Sequence, residues 1–169
     1  MYFQSVKSPL GDLMLFADDS AIIVLEFGNG PTGDSSPLLK EAGSQLVAYF
    51  EGKLKDFDLP LNARGTDFQK SVWELMLEIP YGSTRSYGEV ANDLNSAPRA
   101  VGGACGKNPI PIIVPCHRIR AANKEIGGFS GGAGTDTKIA LLRLEGAGVV
   151  EAVGEGVSAD GDNKFSCFK

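Results

Sequence analysis

The chain holds one histidine, His117, among its 169 residues, and its three cysteines, Cys105, Cys116 and Cys167, form no C-x-x-C pair. An odd number of cysteines without paired spacing argues against a disulfide scaffold and fits a reducing, cytoplasmic setting. A structural zinc site takes about four thiolate or imidazole ligands at characteristic spacing. One histidine with no cysteine before Cys105 does not supply them, so no metal is expected. Long apolar runs are also missing, and no segment approaches the roughly 20 apolar residues of a membrane-spanning helix. The first residues lack a basic stretch followed by an apolar one, so no secretory signal is expected. Met1-Tyr2-Phe3-Gln4-Ser5 reads equally as an expression-tag scar or as the start of a native strand. The chain does have 43% apolar and 22% charged residues, the balance of a globular protein with a real core. Its length suits one ordinary domain or two small ones.

The net charge of −5 argues against nucleic acid as a partner, but its distribution argues the other way. Residues 1–60 carry nine acids and four bases, whereas residues 84–124 carry six bases (Arg85, Arg99, Lys107, Arg118, Arg120 and Lys124) against two acids, Glu89 and Asp93. Local basic surface governs attraction to phosphate. A solvated face of mixed charge remains the plain alternative.

Residues 3–7, 13–17 and 21–27 read as short strands, broken by Pro9-Leu10-Gly11 and Asp18-Asp19-Ser20. A Gly/Pro/Ser loop over 28–37 leads to a helical stripe of Leu38, Leu39, Ala42, Leu46, Val47 and Phe50. Residues 53–65 read as a linker with an extended segment over 57–61. The expectation for residues 1–65 is a small sheet-plus-helix domain with no obvious catalytic residue.

From residue 66 the pattern turns helical. Thr66-Asp67-Phe68-Gln69 has the form of a capping box, and the helix behind it is expected to bury Phe68, Val72, Trp73, Met76 and Ile79 before Pro80 stops it. Ser86-Tyr87-Gly88-Glu89 is a second such box, opening a short helix to about residue 94. Asn95-Ser96 turns the chain, and Ser96 is expected to cap a third helix over 97–106 with Pro98 in its permitted first turn. Two short helices joined by a tight turn make a helix-turn-helix pattern. The third helix, Ala100-Val101-Gly102-Gly103-Ala104-Cys105-Gly106, has no long polar side chain to probe a major groove. Its two internal glycines cost about 1 kcal/mol each relative to alanine. Either the backbone approaches a narrow groove, with Arg99 entering a base stack in place of an expelled nucleotide, or the glycines permit close helix packing and Arg99 is solvated.

Ile112-Ile113-Val114-Pro115-Cys116-His117-Arg118-Ile119 is an apolar run, read as buried strand, that ends by presenting three reactive side chains. Thiolate is the nucleophilic form of cysteine, and a neighbouring base or cation favours it. His117 and Arg118 supply both. A buried structural cysteine beside a surface histidine is the competing reading.

These segments recur in one order: Ser86-Tyr87-Gly88-Glu89-Val90-Ala91, Arg99-Ala100-Val101-Gly102-Gly103-Ala104, Lys107-Asn108-Pro109, Ile113-Val114-Pro115-Cys116-His117-Arg118-Ile119, Gly127-Gly128-Phe129-Ser130-Gly131-Gly132 and Leu141-Leu142-Arg143-Leu144-Glu145-Gly146. Together they resemble the 6-O-alkylguanine-DNA alkyltransferases, strongly over 66–146 and in general character over 1–65. The resemblance implies an α/β protein: a small N-terminal sheet-and-helix domain over 1–65, then a mainly helical DNA-binding and alkyl-transfer domain over 66–146 with a helix-turn-helix. Residues 147–169 are expected to be a partly mobile tail. It implies irreversible transfer of an alkyl group from the 6-oxygen of guanine in duplex DNA to Cys116, once per molecule, after base flipping and without a cofactor.

By the same resemblance His117 is the base acting through a water, Glu145 orients it, and Asn108 braces the turn into the active segment. Tyr87 contacts the flipped guanine and assists the leaving oxygen, Ser130 donates to that oxygen, and the carbonyls of Cys116 and Ile119 read the exocyclic amine. Arg99 replaces the extruded base, while Ala100, Gly102, Gly103, Lys107 and Arg118 lie along the minor groove. The implied protein is a monomer that uses no membrane. Phe129 departs from the family's frequent tyrosine, the spacing from Tyr87 to Arg99 is short, Cys105 has no family role, and Cys167 is expected to be incidental. A non-catalytic alkylated-DNA binder, which would lack Cys116, and a cysteine hydrolase, which would turn over, are the alternatives.

Overall fold

The computed structural model describes residues 1–31, 33–129 and 131–148. Ser130, and the expected tail from residue 149 on with Cys167, lie outside the described residues. Ala147, assigned to that tail, is buried, and its N–H donates to the Leu142 carbonyl at 3.0 Å.

Three strands, β1 (Tyr2–Val6), β2 (Leu13–Ala17) and β3 (Ile22–Phe27), form an antiparallel sheet in sequence order, with Ser5 opposite Met14 and Leu15 opposite Leu25. The turn after β2 is set by Asp18, whose Oδ1 accepts from the N–H groups of Ser20 and Ala21 at 2.8 Å each. Helix α1 (Pro37–Phe50) begins at Ser36, whose hydroxyl accepts from the Leu39 N–H. It lays Leu39, Ala42, Leu46 and Tyr49 against β1 and β2. The buried stripe thus runs through Tyr49 rather than Val47, which is 42% exposed, because Tyr49 lies three residues on from Leu46. Of the extended segment expected over 57–61, Leu61 bridges in parallel to Ile22.

Both capping boxes form. Thr66 and Gln69 exchange side-chain and backbone bonds at the start of α2 (Asp67–Leu77), and Ser86 and Glu89 do so at the start of α3 (Tyr87–Asp93). The expected cap of α4 (Pro98–Gly106) does not: its N-cap is Ala97, and Ser96 spends its N–H on the Ala91 carbonyl. Helix α4 begins one residue later than expected, at Pro98, so the cap position falls on Ala97, which has no side-chain acceptor. Asn95 takes the left-handed conformation that asparagine tolerates, φ +52°. Trp73 of α2 donates its indole N–H to the Ala104 carbonyl at 2.9 Å, tying α4 to the core.

The run 112–119 is buried as expected but is not a strand. Ile112 has φ +75°, a conformation costly for a β-branched residue, and residues Cys116–Arg118 form a 3-10 turn. The extended part is β5 (Ile119–Arg120), pairing in parallel with β4 (Arg85–Ser86). A further helix, α5 (Thr135–Leu144), buries Lys138, Leu141 and Leu142. The architecture is α/β: an antiparallel sheet with its helix, followed by a mainly helical half, sharing one apolar core from Val6 to Leu141. Among the described residues no helix is long and apolar enough to cross a membrane.

Candidate active site

Asn108 builds the platform for Cys116. Its Oδ1 accepts from the Ile110 N–H at 2.9 Å and its Nδ2 donates to the Val114 carbonyl at 2.8 Å, stapling the strained turn around Ile112. The same side chain hydrogen-bonds Cys116. From the β3 side, the Leu25 N–H donates to the Pro109 carbonyl at 2.9 Å. Cys116 is 7% exposed. Burial pushes its thiol up, opposed by the Asn108 hydrogen bond and the charge of Lys138. A resting thiol in this setting is protonated, so nucleophilic use requires a base.

The next residue along the chain is the histidine. His117 is fully buried, and its Nε2 lies 2.8 Å from Glu145 Oε2. A carboxylate partner makes Nε2 the protonated nitrogen and leaves Nδ1, which has no hydrogen-bond partner among the described residues, as the acceptor. Burial lowers the His117 pKa against the pull of Glu145, with the charges of Arg118 and Lys138 adding to the lowering. The ring is therefore neutral and free to take a proton. Burial alone would raise the Glu145 carboxyl; hydrogen bonds and charge from His117 and then Arg118 outweigh it and hold it at about 2. Glu145 follows the last residue of α5 and also accepts from the Tyr49 hydroxyl at 2.6 Å.

Cys116 lines a cleft of about 1450 Å³ together with Tyr87, Asn108, Phe129 and β3 residues such as Phe27. Phe27 meets Phe129 edge-on at 6.5 Å, and a Cβ at Gly131 would stand 2.5 Å from its ring. Gly127 has φ +77°, and a Cβ there would lie 3.0 Å from the Tyr87 ring. Glycine therefore lets the loop wrap both aromatics. Burial, with the charges of Cys105 and Cys116, raises the Tyr87 phenol to about 12, which keeps its proton available for donation. Lys138 is fully buried yet donates to the Gly128 carbonyl at 3.1 Å and lies 3.5 Å from the Tyr87 hydroxyl. Burial lowers it to about 8, with the cysteines opposing. Cys105 lines the same cleft, and burial lifts it to about 12.

Sequence reasoning missed Lys138 and Tyr49. A signal for Lys138 existed: positions 138, 141, 142 and 145 share one helical face, so a lysine on the face of Leu141 and Leu142 is turned toward the core. Of the other expected residues, Ile119 is fully buried, and its N–H already donates to the Cys116 carbonyl. Arg99, Ala100, Gly103 and Lys107 are exposed, and Gly102 is half-buried beside Tyr87. A Cβ on Gly103 would meet nothing within 4 Å, so internal helix packing does not require that glycine.

Arg118 corrects the expectation. It is 6% exposed, held by Glu145 and by the Ile79 carbonyl at 2.6 Å, so its side chain does not face a DNA groove. Arg120 is buried too, and Arg85 pairs with Asp93 at 2.9 Å, so the basic surface of this region is narrower than its sequence count.

Known proteins resemble the chain over the same stretches. The family profile described as "6-O-methylguanine DNA methyltransferase, DNA binding domain" matches residues 67–147, and that described as "6-O-methylguanine DNA methyltransferase, ribonuclease-like domain" matches residues 1–63. The chain is 44% identical over 157 residues to the methylated-DNA–protein-cysteine methyltransferase of Methanosarcina acetivorans, covering 87% of this chain and 99% of that protein. The Mycobacterium tuberculosis protein of the same name is 44% identical over 155 residues, covering 86% and 92%. Among solved structures, Mycobacterium tuberculosis OGT in complex with DNA matches with a TM-score of 0.78 at 44% identity, over 86% of this chain and 93% of that one. Two adjoining profiles of one family and relatives matched over nearly their whole length leave a single conclusion: the chain belongs to the 6-O-methylguanine-DNA methyltransferase family.

Proposed function

We propose that the protein repairs DNA by moving an alkyl group from the 6-oxygen of guanine to its own Cys116. The buried His117–Glu145 hydrogen bond, one residue along the chain from Cys116, carries this reading, because it leaves Nδ1 as an acceptor while burial keeps the Cys116 thiol protonated. In the reaction His117 Nδ1 takes the thiol proton through a water, and Sγ attacks the alkyl carbon. The carbon–oxygen bond breaks and its electron pair stays on the purine oxygen. Tyr87 supplies a proton to the leaving base, and Ser130 donates a hydrogen bond to its oxygen. The carbonyls of Cys116 and Ile119 accept from the exocyclic amine. Asn108 holds the nucleophile's turn.

Duplex DNA is the partner this reading requires, and the DNA complex of the mycobacterial relative supports it. In our reading α4 lies in the minor groove with Ala100, Gly102 and Gly103 against the backbone, Arg99 filling the extruded base's place and Lys107 on a phosphate. The exposed N-terminal turn of α4 and the open space over Gly103 favour that placement. We divide the chain into a supporting domain over 1–65 and a catalytic domain over 66–146, acting as a monomer in the cytoplasm without a cofactor.

Intact-mass spectrometry after mixing with duplex DNA carrying 6-O-methylguanine is the direct test. One added methyl, mapped to the Cys116 peptide, is expected; unmodified protein beside repaired DNA would support a hydrolase instead.

A further inference from the structure

Within Glu145 the two oxygens are loaded unequally. Oε1 accepts from Arg118 Nε, whereas Oε2 accepts from His117 Nε2, Arg118 Nη2 and the Tyr49 hydroxyl at 2.8, 2.9 and 2.6 Å. Tyr49 alone among these donors comes from the N-terminal half, 96 positions away. It is fully buried, its ring packed on Phe50 and Phe57 at 5.2 Å and on Tyr81 at 6.2 Å, so its hydroxyl has one fixed direction.

We propose that Tyr49 is a positioning residue for alkyl transfer: its hydroxyl fixes the Glu145 carboxylate against His117 and moderates that carboxylate's pull on the imidazole. This rests on the function proposed above. The physical reason is competition at one oxygen. A donor at 2.6 Å withdraws negative charge from Oε2, leaving less to stabilise the proton on Nε2 and thus less to stabilise the imidazolium. Without Tyr49 the pull grows, the ring protonates at higher pH, and fewer molecules hold a free base at Nδ1. The other groups facing the pair are fixed in sign. Arg118 and Lys138 are cations that disfavour imidazolium, and Tyr81 stands over Arg118 with its hydroxyl on the Leu144 carbonyl. Lys55 lies over the outer Tyr81 ring, and Cys116 is the thiol that His117 serves. The sheet domain, which carries no reactive residue of its own, would thus set the basicity of the catalytic histidine.

The test is the pH dependence of the single-turnover rate with 6-O-methylguanine duplex DNA. Tyr49→Phe keeps the ring and removes the donor; its acid limb is expected to move up by about half a pH unit, with the alkaline plateau retained. Site-specific 3-fluorotyrosine at position 49 keeps both ring and hydroxyl but donates more strongly, so its limb should move down. Phe57→Leu, which loosens the same ring cluster without touching a donor, should lower the melting temperature and leave the limb in place. A purely structural tyrosine would reduce the rate equally at every pH. An unmoved limb in both Tyr49 variants, or the same shift in Phe57→Leu, overturns the proposal. Absence of any transfer by the unaltered protein would instead overturn the proposed function beneath it.

Discussion

Arg118 and Glu145 form a two-point ion pair inside the protein, with Nε 2.9 Å from Oε1 and Nη2 2.9 Å from Oε2. Such a pair gains its energy from geometry and from the absence of water, and removing one partner leaves an uncompensated buried charge. Arg118 therefore serves the site by holding the carboxylate that holds His117.

Glu145→Gln should destabilise the protein by on the order of 3 kcal/mol near neutral pH, because Arg118 is left buried without its counter-charge. The sign with pH follows from the Glu145 carboxyl, at about 2 in the folded chain against an ordinary 4.5. A depressed acid contributes its stability above the unfolded value and loses it as pH falls through the folded one. The gap between wild type and variant should close as pH falls from about 4.5 to 2. Urea unfolding across that range measures it, and a gap independent of pH would refute the assignment.

Cys116→Ser should abolish transfer and leave the fold intact, since a serine hydroxyl is scarcely ionised and is a weaker nucleophile. In the unaltered protein the repaired product should plateau at one equivalent however long excess damaged DNA is present, because a thioether is a poor leaving group. Peptide mapping should place the methyl on Cys116, since burial lifts Cys105 to about 12 and no histidine follows it in the chain. Several equivalents of product would revive the hydrolase reading.

Arg99→Ala should slow repair of duplex DNA by roughly tenfold or more while sparing reaction with free 6-O-benzylguanine, since extrusion is needed only from a base stack. Affinity for DNA should fall with added salt as phosphate contacts release counterions. Arg118, being buried, should contribute nothing to that slope. Equal rate losses on both substrates would move Arg99 into chemistry or folding.

Lys138→Met should slow transfer about tenfold on DNA and on the free base alike, through loss of the cation that opposes the rise of the Cys116 thiol. Folded Lys138 sits at about 8 against an ordinary 10.5, so between those values the unfolded chain binds more protons and stability rises with pH. The Met variant should lack that rise in unfolding titrations from pH 7 to 10. Retention of the full rate would show that Lys138 serves the loop through Gly128 alone.

Local order was legible wherever its causes are local. Both capping boxes are written within four residues, and the strands read over 13–17 and 21–27 follow from short apolar runs bounded by turn residues. The cap of α4 differs from the sequence reading because the helix starts one residue later, with Ala97 rather than Ser96 at the N-cap. The 112–119 run was misjudged because apolar content reports burial and not conformation, while the Asn108 bonds impose the turn.

By itself the sequence determined which chemistry is possible. One histidine stands next to a cysteine, a glycine-rich helical segment follows an arginine, and a carboxylate closes an apolar helical stripe, all set by neighbours along the chain. Only the tertiary structure decided who meets whom. It turned Arg118 inward to Glu145, brought Tyr49 to that carboxylate across 96 positions, buried Lys138 beside Tyr87 and walled the cleft with Phe27. These contacts depend on long-range packing and leave no periodicity in the chain, because the free energy of burying a charge or a phenol is fixed by partners far away in sequence.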